Sequence, residues 1–260
     1  MKEDAVYYSK LDENNIFDTF KKLCKCGTSV RKGKRNVCMN LFGSTIGVTK
    51  YPRFLLNGVP KVLPRPFEHS RPGAKGFNLM KESWFKSFVT DLANIAWNFV
   101  EYQSRSCDIY KAVKTVLINS MKYVPECCRI SGTFFTMMSV NGDMNTSSSD
   151  GIKRHFDKED EFNVVLHLGK SQGGSTLYYA ADNEKITAGK PIKIIDFKHG
   201  QIQIGLFREV LHGVSKWTGP RGSINFAVKT KIVEHFKNHG MKYYSCLIKN
   251  GYDNVKSTNI

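Results

Sequence analysis

The sequence predicts a mainly β protein of α+β class, with helices on the N-terminal side supporting a double-sheet β core. Three observations predict it. Apolar residues recur at helical spacing between residues 80 and 123. After residue 130 the chain breaks into short β-rich runs separated by Gly, Asn and Ser turns. Helices therefore precede strands, an order that favours helices packed outside a sheet-on-sheet core.

Residues 14–24, "NNIFDTFKKLC", read as a short amphipathic helix, and "RKGKR" (31–35) as a basic loop. A solvated turn explains that loop; phosphate contact or a nuclear address is the sharper reading. Gly and Pro punctuate residues 36–66, which read as short strands and turns. In "SWFKSFVTDLANIAWNFVEY", Trp84, Phe88, Leu92, Ile95 and Phe99 form a core-facing stripe, with Ser83 placed to cap the helix. A second helix carries Ile109, Val113, Val116 and Leu117, starts at Asp108 and ends before Pro125. Strands are expected over 132–140, 161–169, 191–197, 201–207, 209–215 and 223–230, with a polar loop at 141–151. The whole is read as one domain over 1–260: a support region to residue 130, a catalytic core over 131–235 and a C-terminal extension over 236–260.

With 260 residues the chain buries a substantial core. Its 39 Lys and Arg against 23 Asp and Glu give a net charge of +16. A field of that size attracts polyanions, nucleic acid first and anionic membrane second. No apolar run is long enough to cross a bilayer, and the start "MKEDAVYYSKLDENN" is polar, so an intracellular, non-secreted protein is expected. The seven cysteines are odd in number, and Cys127 and Cys128 are adjacent, which fits free thiols in a reducing compartment. Cys24, Cys26 and Cys38 lie close in sequence but lack a fourth zinc ligand.

Chemistry concentrates in "RHFDKEDEFNVVLHLG" (154–169) and "HGVSKWTGPRGS" (212–223). On a strand, residues i and i+2 share a face, so His155 and Asp157 can reach one metal ion. His212, 55 residues on, supplies a third ligand. Two His and one carboxylate are the facial triad of non-haem Fe(II) oxygenases, which leaves positions open for substrate and O2. Arg221, Ser223 and Asn225 alternate onto one strand face, with Ile224, Phe226 and Val228 on the other. A guanidinium grips a carboxylate through two parallel hydrogen bonds, and a hydroxyl two residues on adds a third. Each residue alone has an ordinary explanation: solvated acids and His beside "KEDE", a satisfied strand His, an Arg closing a Gly-Pro turn. His167 competes as a ligand and is read instead as lining the sheet interior or hydrogen-bonded. Gly173 and Gly174, ahead of Leu177 and Tyr179, are read as a tight turn.

The set His155-x-Asp157, His212, Arg221-x-Ser223 resembles the Fe(II)/2-oxoglutarate-dependent oxygenases over roughly residues 132–230. That resemblance implies a double-stranded β-helix, or jelly roll. It implies Fe(II), 2-oxoglutarate and O2 as cofactors, with ascorbate as a stimulant, and a far carboxylate of 2-oxoglutarate on Arg221 and Ser223. Within the superfamily the two segments look most like the branch of TET proteins and J-base thymine hydroxylases. This implies oxidation of a base methyl, 5-methylcytosine or thymine, with DNA favoured over RNA as partner and a monomer favoured. A Cys-rich domain of the animal TET type and a J-binding domain are not found in the sequence. Protein prolyl or lysyl hydroxylation, small-molecule hydroxylation and an inactive jelly-roll binding module are the alternatives.

Overall fold

The computed structural model describes residues 37–46, 55–56, 59–60, 62–65, 83–125, 129–130, 132–143, 150–158, 160–180 and 189–239. The helix expected at 14–24, the basic loop 31–35, Cys24, Cys26 and most of the C-terminal extension lie outside the described residues, as do most of the loop 141–151 and the side chain of Cys38.

The N-terminal strands are β1 (Val37–Ile46), β2 (Leu55–Leu56), β3 (Val59–Pro60) and β4 (Val62–Arg65). Two helices follow, α1 (Ser83–Ser106) and α2 (Asp108–Met121). Then come β5 (Met137–Asp143), β6 (Ile152–His155), β7 (Asp160–Gly169), β8 (Gln172–Gly173), β9 (Thr176–Tyr178), β10 (Lys193–Ile195), β11 (Ile202–Gly205), β12 (His212–Val214), β13 (Trp217–Thr218) and β14 (Arg221–Lys229), and last helix α3 (Thr230–His239). Among the described residues no helix is long and apolar enough to cross a membrane.

All the strand pairings are antiparallel. A six-stranded sheet runs β11-β7-β14-β5-β1-β4, and a four-stranded sheet runs β10-β9-β12-β6. The pairs β13-β8 and β2-β3 stand apart. At the centre of the larger sheet, β7 and β14 pair from Arg221↔Gly169 to Val228↔Phe162. Their side chains alternate, as the period of two requires. Phe162, Val164, Leu166 and Leu168 join Ile224, Phe226 and Val228 in one buried cluster with Leu92, Ala96 and Trp97 of α1, Leu117 and Met121 of α2, and Ile232 and Phe236 of α3. The opposite face, with Asn163, Val165, His167, Arg221, Ser223 and Asn225, lines a cavity of about 140 Å³. The smaller sheet supplies the facing wall through Ile152, His155, Thr176, His212 and Val214.

The stripe expected on α1 is core. Leu92 and Phe99 are buried and Phe88 and Ile95 are partly so, while the side chain of Trp84 lies outside the described residues. Trp97 sits edge-on to Phe134 at 4.6 Å and to Phe135 at 6.4 Å, geometry that adds about 0.5–1.5 kcal/mol per pair to simple burial. The strand expected over 132–140 begins only at Met137. Gly132 has a positive φ of 75°, and the Thr133 hydroxyl bonds Ile130 O at 2.8 Å, so this stretch is a turn. The last strand starts at Arg221, two residues earlier than expected, because Arg221 already pairs with Gly169 and Asp143.

Candidate metal centre

His155 and His212 are direct cross-strand partners on β6 and β12. Such pairs bring side chains within contact, and the two rings lie 4.4 Å apart, centroid to centroid. Asp157 falls two residues beyond the end of β6, not on the strand as the sequence reading supposed. Its position is set by a turn: Asp157 N donates to Phe207 O at 2.9 Å, and Asp160 N donates to Asp157 O at 2.9 Å. The carboxylate thereby lines the same cavity as His155. Asp157 Oδ1 lies 3.6 Å from His155 Nε2, and Oδ2 lies 3.9 Å from His212 Nε2. One ligand atom from each of the three residues lies within 4.8 Å of the others.

The tautomers of both histidines follow from their backbone contacts. His155 Nδ1 lies 2.8 Å from Lys153 O, and His212 Nδ1 lies 3.0 Å from Val210 O. A carbonyl only accepts, so each Nδ1 carries a proton, and in the neutral imidazole this leaves each Nε2 as the lone-pair atom on the side of Asp157. Burial, with the neighbouring His155 adding to it, pushes His212 below the ordinary histidine range, against the Val210 hydrogen bond and the charge of Asp157. The ring therefore stays neutral, as a metal ligand must. Two imidazole nitrogens and one carboxylate oxygen fit a divalent first-row transition ion. The side chain of His155 is 42% exposed while that of His212 is 11% exposed, so the centre has an open side.

Further into the same cavity, Arg221, Ser223 and Asn225 project from β14. Ser223 is directly opposite His167 on one side and Asn141 on the other. Arg221 lies over the Trp217 ring at 5.0 Å, a cation–π contact that fixes the guanidinium without neutralising it. His167 lines this end and is buried, stacked on Phe197 at 4.1 Å and bonded through Nε2 to Gln203 Oε1 at 3.0 Å. Gln203 Nε2 in turn donates to the Tyr178 hydroxyl. Burial first, and the charge of Arg221 second, pull His167 down to about 3, so it is neutral. This end of the cavity is lined by the Arg221 guanidinium and a neutral His167.

Sequence reasoning missed Asn163, Thr176, Gln203 and Phe207, all of which line the cavity. Asn163 was discoverable: it shares a strand face with Val165 and His167 by the same alternation used for β14. On β9 it is Thr176 that faces the cavity, not Leu177 or Tyr179. A shift of one residue reverses every side chain of a strand. Gly174 is also more than a turn residue: a Cβ there would stand 2.6 Å from Arg221 Nε. Of the acids after Asp157, Asp160 is buried and paired with Lys229 at 2.6 Å. Lys229 therefore belongs to that pair.

No family model and no curated protein matches the chain. Solved structures do. An oxidoreductase described as of the 2OG-Fe(II) oxygenase family, from Burkholderia pseudomallei, is 14% identical, with 73% of this chain and 65% of that chain covered and a TM-score of 0.33. NgTET1 in complex with 5mC DNA is 14% identical, covering 85% of this chain and 69% of that one at a TM-score of 0.49. OsALKBH1 is 14% identical, covering 84% and 94% at a TM-score of 0.37. The chain thus spans just under two thirds of the length of the Burkholderia protein. The chemistry of the site follows from its own side chains.

Proposed function

We propose that this chain is an Fe(II)- and 2-oxoglutarate-dependent dioxygenase whose two main sheets form a jelly roll, within a single domain over 1–260. The observation that carries the reading is the tautomer lock on two facing histidines. Both Nδ1 atoms are tied to backbone carbonyls, and both Nε2 atoms converge on Asp157 in a cavity that also holds Arg221. A surface cluster of His and Asp has no need of that arrangement.

In this reading His155, Asp157 and His212 hold the metal. Arg221 and Ser223 bind the far carboxylate of 2-oxoglutarate, with Asn225 beside them. Bound Fe(II), with 2-oxoglutarate and O2, supplies the oxidising power for breaking a substrate C–H bond, the cosubstrate leaving as succinate and CO2. The chain's own residues orient and enclose. Trp217 and Gly174 set the direction of Arg221. Neutral His167 keeps a second charge out of the carboxylate end. Val165, Phe207 and Val214 present apolar wall and limit water.

The substrate we infer is a methyl group on a nucleic-acid base, with DNA preferred. Support comes from the net charge of +16 and from exposed Lys153, Lys158 and Lys216, which flank the ligand-bearing segments. A base methyl reaches such a centre only when its nucleotide leaves the stack, and phosphate contacts then hold the backbone. The test is succinate release with Fe(II) and 2-oxoglutarate over panels of methylated DNA, methylated RNA and proline- or lysine-containing peptides. Release above background with DNA, and a mass gain of one oxygen on the base, is the expected result. Release with peptide and not with nucleic acid would move the substrate to protein. Absence of release on every panel, with no uncoupled turnover of 2-oxoglutarate, would contradict the oxygenase reading.

A further inference from the structure

The centre has a support that none of the proposed ligand roles includes. Asn163 projects from β7 into the cavity and is 3% exposed. Its Nδ2 lies 3.0 Å from Asp157 Oδ2 and 3.2 Å from Asp160 Oδ2. Both hydrogens of the amide are thus committed to carboxylates. The other branch, Oδ1, is buried and accepts no hydrogen bond among the described residues. Turning the amide over would set that acceptor against two carboxylates, so the acids dictate its orientation and leave its own acceptor unmatched. Buried acceptors are rarely left without a partner, so this one calls for an explanation.

The amide is itself braced. Asp160 Oδ1 is paired with Lys229 Nζ at 2.6 Å. The pairing depends on a bulge: β14 and β7 run in register to Val228↔Phe162, and then Lys229 meets Asp160, skipping a residue on β7. A bulge re-aims side chains at the rim of a sheet, and here it brings a lysine to a buried carboxylate. Removal of the lysine would leave the buried Asp160 carboxylate without its ion pair and loosen its hold on the amide.

We propose that Asn163 is a positioning residue for the metal centre: its amide holds Asp157 Oδ2, and the Lys229–Asp160 pair holds the amide, so that Asp157 offers Oδ1 as a single-atom ligand. The inference rests on the metal-centre reading of His155, Asp157 and His212. Its chemical sense is one of coordination count. A carboxylate bound through both oxygens would occupy a position that a two-point cosubstrate or O2 needs, and the facial triad works by leaving three positions open. Partners of this kind, one bond behind a ligand, typically change metal affinity by about 10–100-fold when removed.

The experiment titrates the full chain with Mn(II) and with Co(II), following Mn(II) by electron paramagnetic resonance and Co(II) by its visible ligand-field absorption. Wild type, Asn163→Ala and Lys229→Met are compared, with thermal unfolding recorded on each without metal. Asn163→Ala is expected to bind Mn(II) about 10–100-fold more weakly, with an altered Co(II) spectrum. Lys229→Met should move both in the same direction by less. A merely structural asparagine would lower the unfolding temperature and leave affinity and spectrum at wild-type values in the folded protein, and that outcome overturns the proposal. Should both variants fail to fold, the wild type decides. The Asn163 side-chain amide resonances should shift on Zn(II) binding, and a resonance that stays in place overturns the proposal. Failure of wild type to bind any of the three metals is a different result and sinks the metal-centre reading instead.

Discussion

Gly174 and Arg221 occupy one space. The glycine has a positive φ of 80°, and a Cβ built on it would stand 2.6 Å from Arg221 Nε and 2.8 Å from Cδ. On its other side the guanidinium lies against Trp217 at 5.0 Å. The guanidinium therefore lies between a missing side chain on one flank and an indole on the other.

Gly174→Ala should displace Arg221 and weaken 2-oxoglutarate binding. A charge-assisted hydrogen bond is worth about 1.5–3 kcal/mol, so loss of alignment should raise the apparent KM for 2-oxoglutarate roughly 10–100-fold. Mn(II) affinity should stay within a factor of about 2, since none of the three metal-site residues is touched. Steady-state kinetics with a parallel metal titration checks both.

His167 sets a pH dependence. Its folded value of about 3 lies below the ordinary 6.5, so between those values the unfolded chain holds a proton that the native chain does not. The group costs no stability above about pH 6.5, and stability falls as pH drops toward 3, by up to about 1.4 kcal/mol per pH unit. His167→Phe keeps the stack on Phe197 and removes the titrating ring. Urea unfolding from pH 7 to pH 4 should show a shallower pH slope for the variant than for wild type.

Phe226 is fully buried between β14 and the helices, with its ring 5.3 Å from Phe135. Phe226→Ala should destabilise the protein by about 3–5 kcal/mol through lost burial and the cavity left behind. Because Phe226 faces away from the cavity, a folded fraction of the variant should bind Mn(II) as wild type does. Denaturant titration and metal binding at low temperature test the two halves.

Affinity for DNA should fall steeply with salt. If exposed lysines such as Lys153, Lys158 and Lys216 contact phosphates, six to ten such contacts would lose roughly 10³–10⁵ in affinity between 50 and 200 mM salt. Fluorescence anisotropy across that range measures the slope. A flat profile would argue for a substrate other than nucleic acid.

Much of the site was legible because its information is periodic. Arg221, Ser223 and Asn225 alternate with Ile224, Phe226 and Val228, and a strand makes no other use of that pattern than two faces. His155 and His212 were legible as residue types, but their direct pairing across β6 and β12 is a matter of register, which the sequence does not print. Asp157 reached its place by a turn fixed on Phe207 O, a contact 50 residues away that local spacing cannot reveal. Asn163 was hidden for a related reason. Its meaning comes from Asp160, and that of Asp160 from Lys229, a residue brought opposite by a bulge. Gly174 was hidden because the side chain it makes room for is 47 positions on, though both glycines were visible as a turn.

The central claim is that one cavity holds a metal on His155, Asp157 and His212 and a dicarboxylate on Arg221. Calorimetric titration of 2-oxoglutarate into the protein with and without Mn(II), in wild type, Asp157→Ala and Arg221→Ala, tests it most directly. Wild type should bind 2-oxoglutarate in a metal-dependent way. Asp157→Ala should lose Mn(II) binding, and Arg221→Ala should bind Mn(II) normally and 2-oxoglutarate more weakly. Wild-type Mn(II) affinity in Asp157→Ala, or equal loss of metal and 2-oxoglutarate in Arg221→Ala, would contradict it.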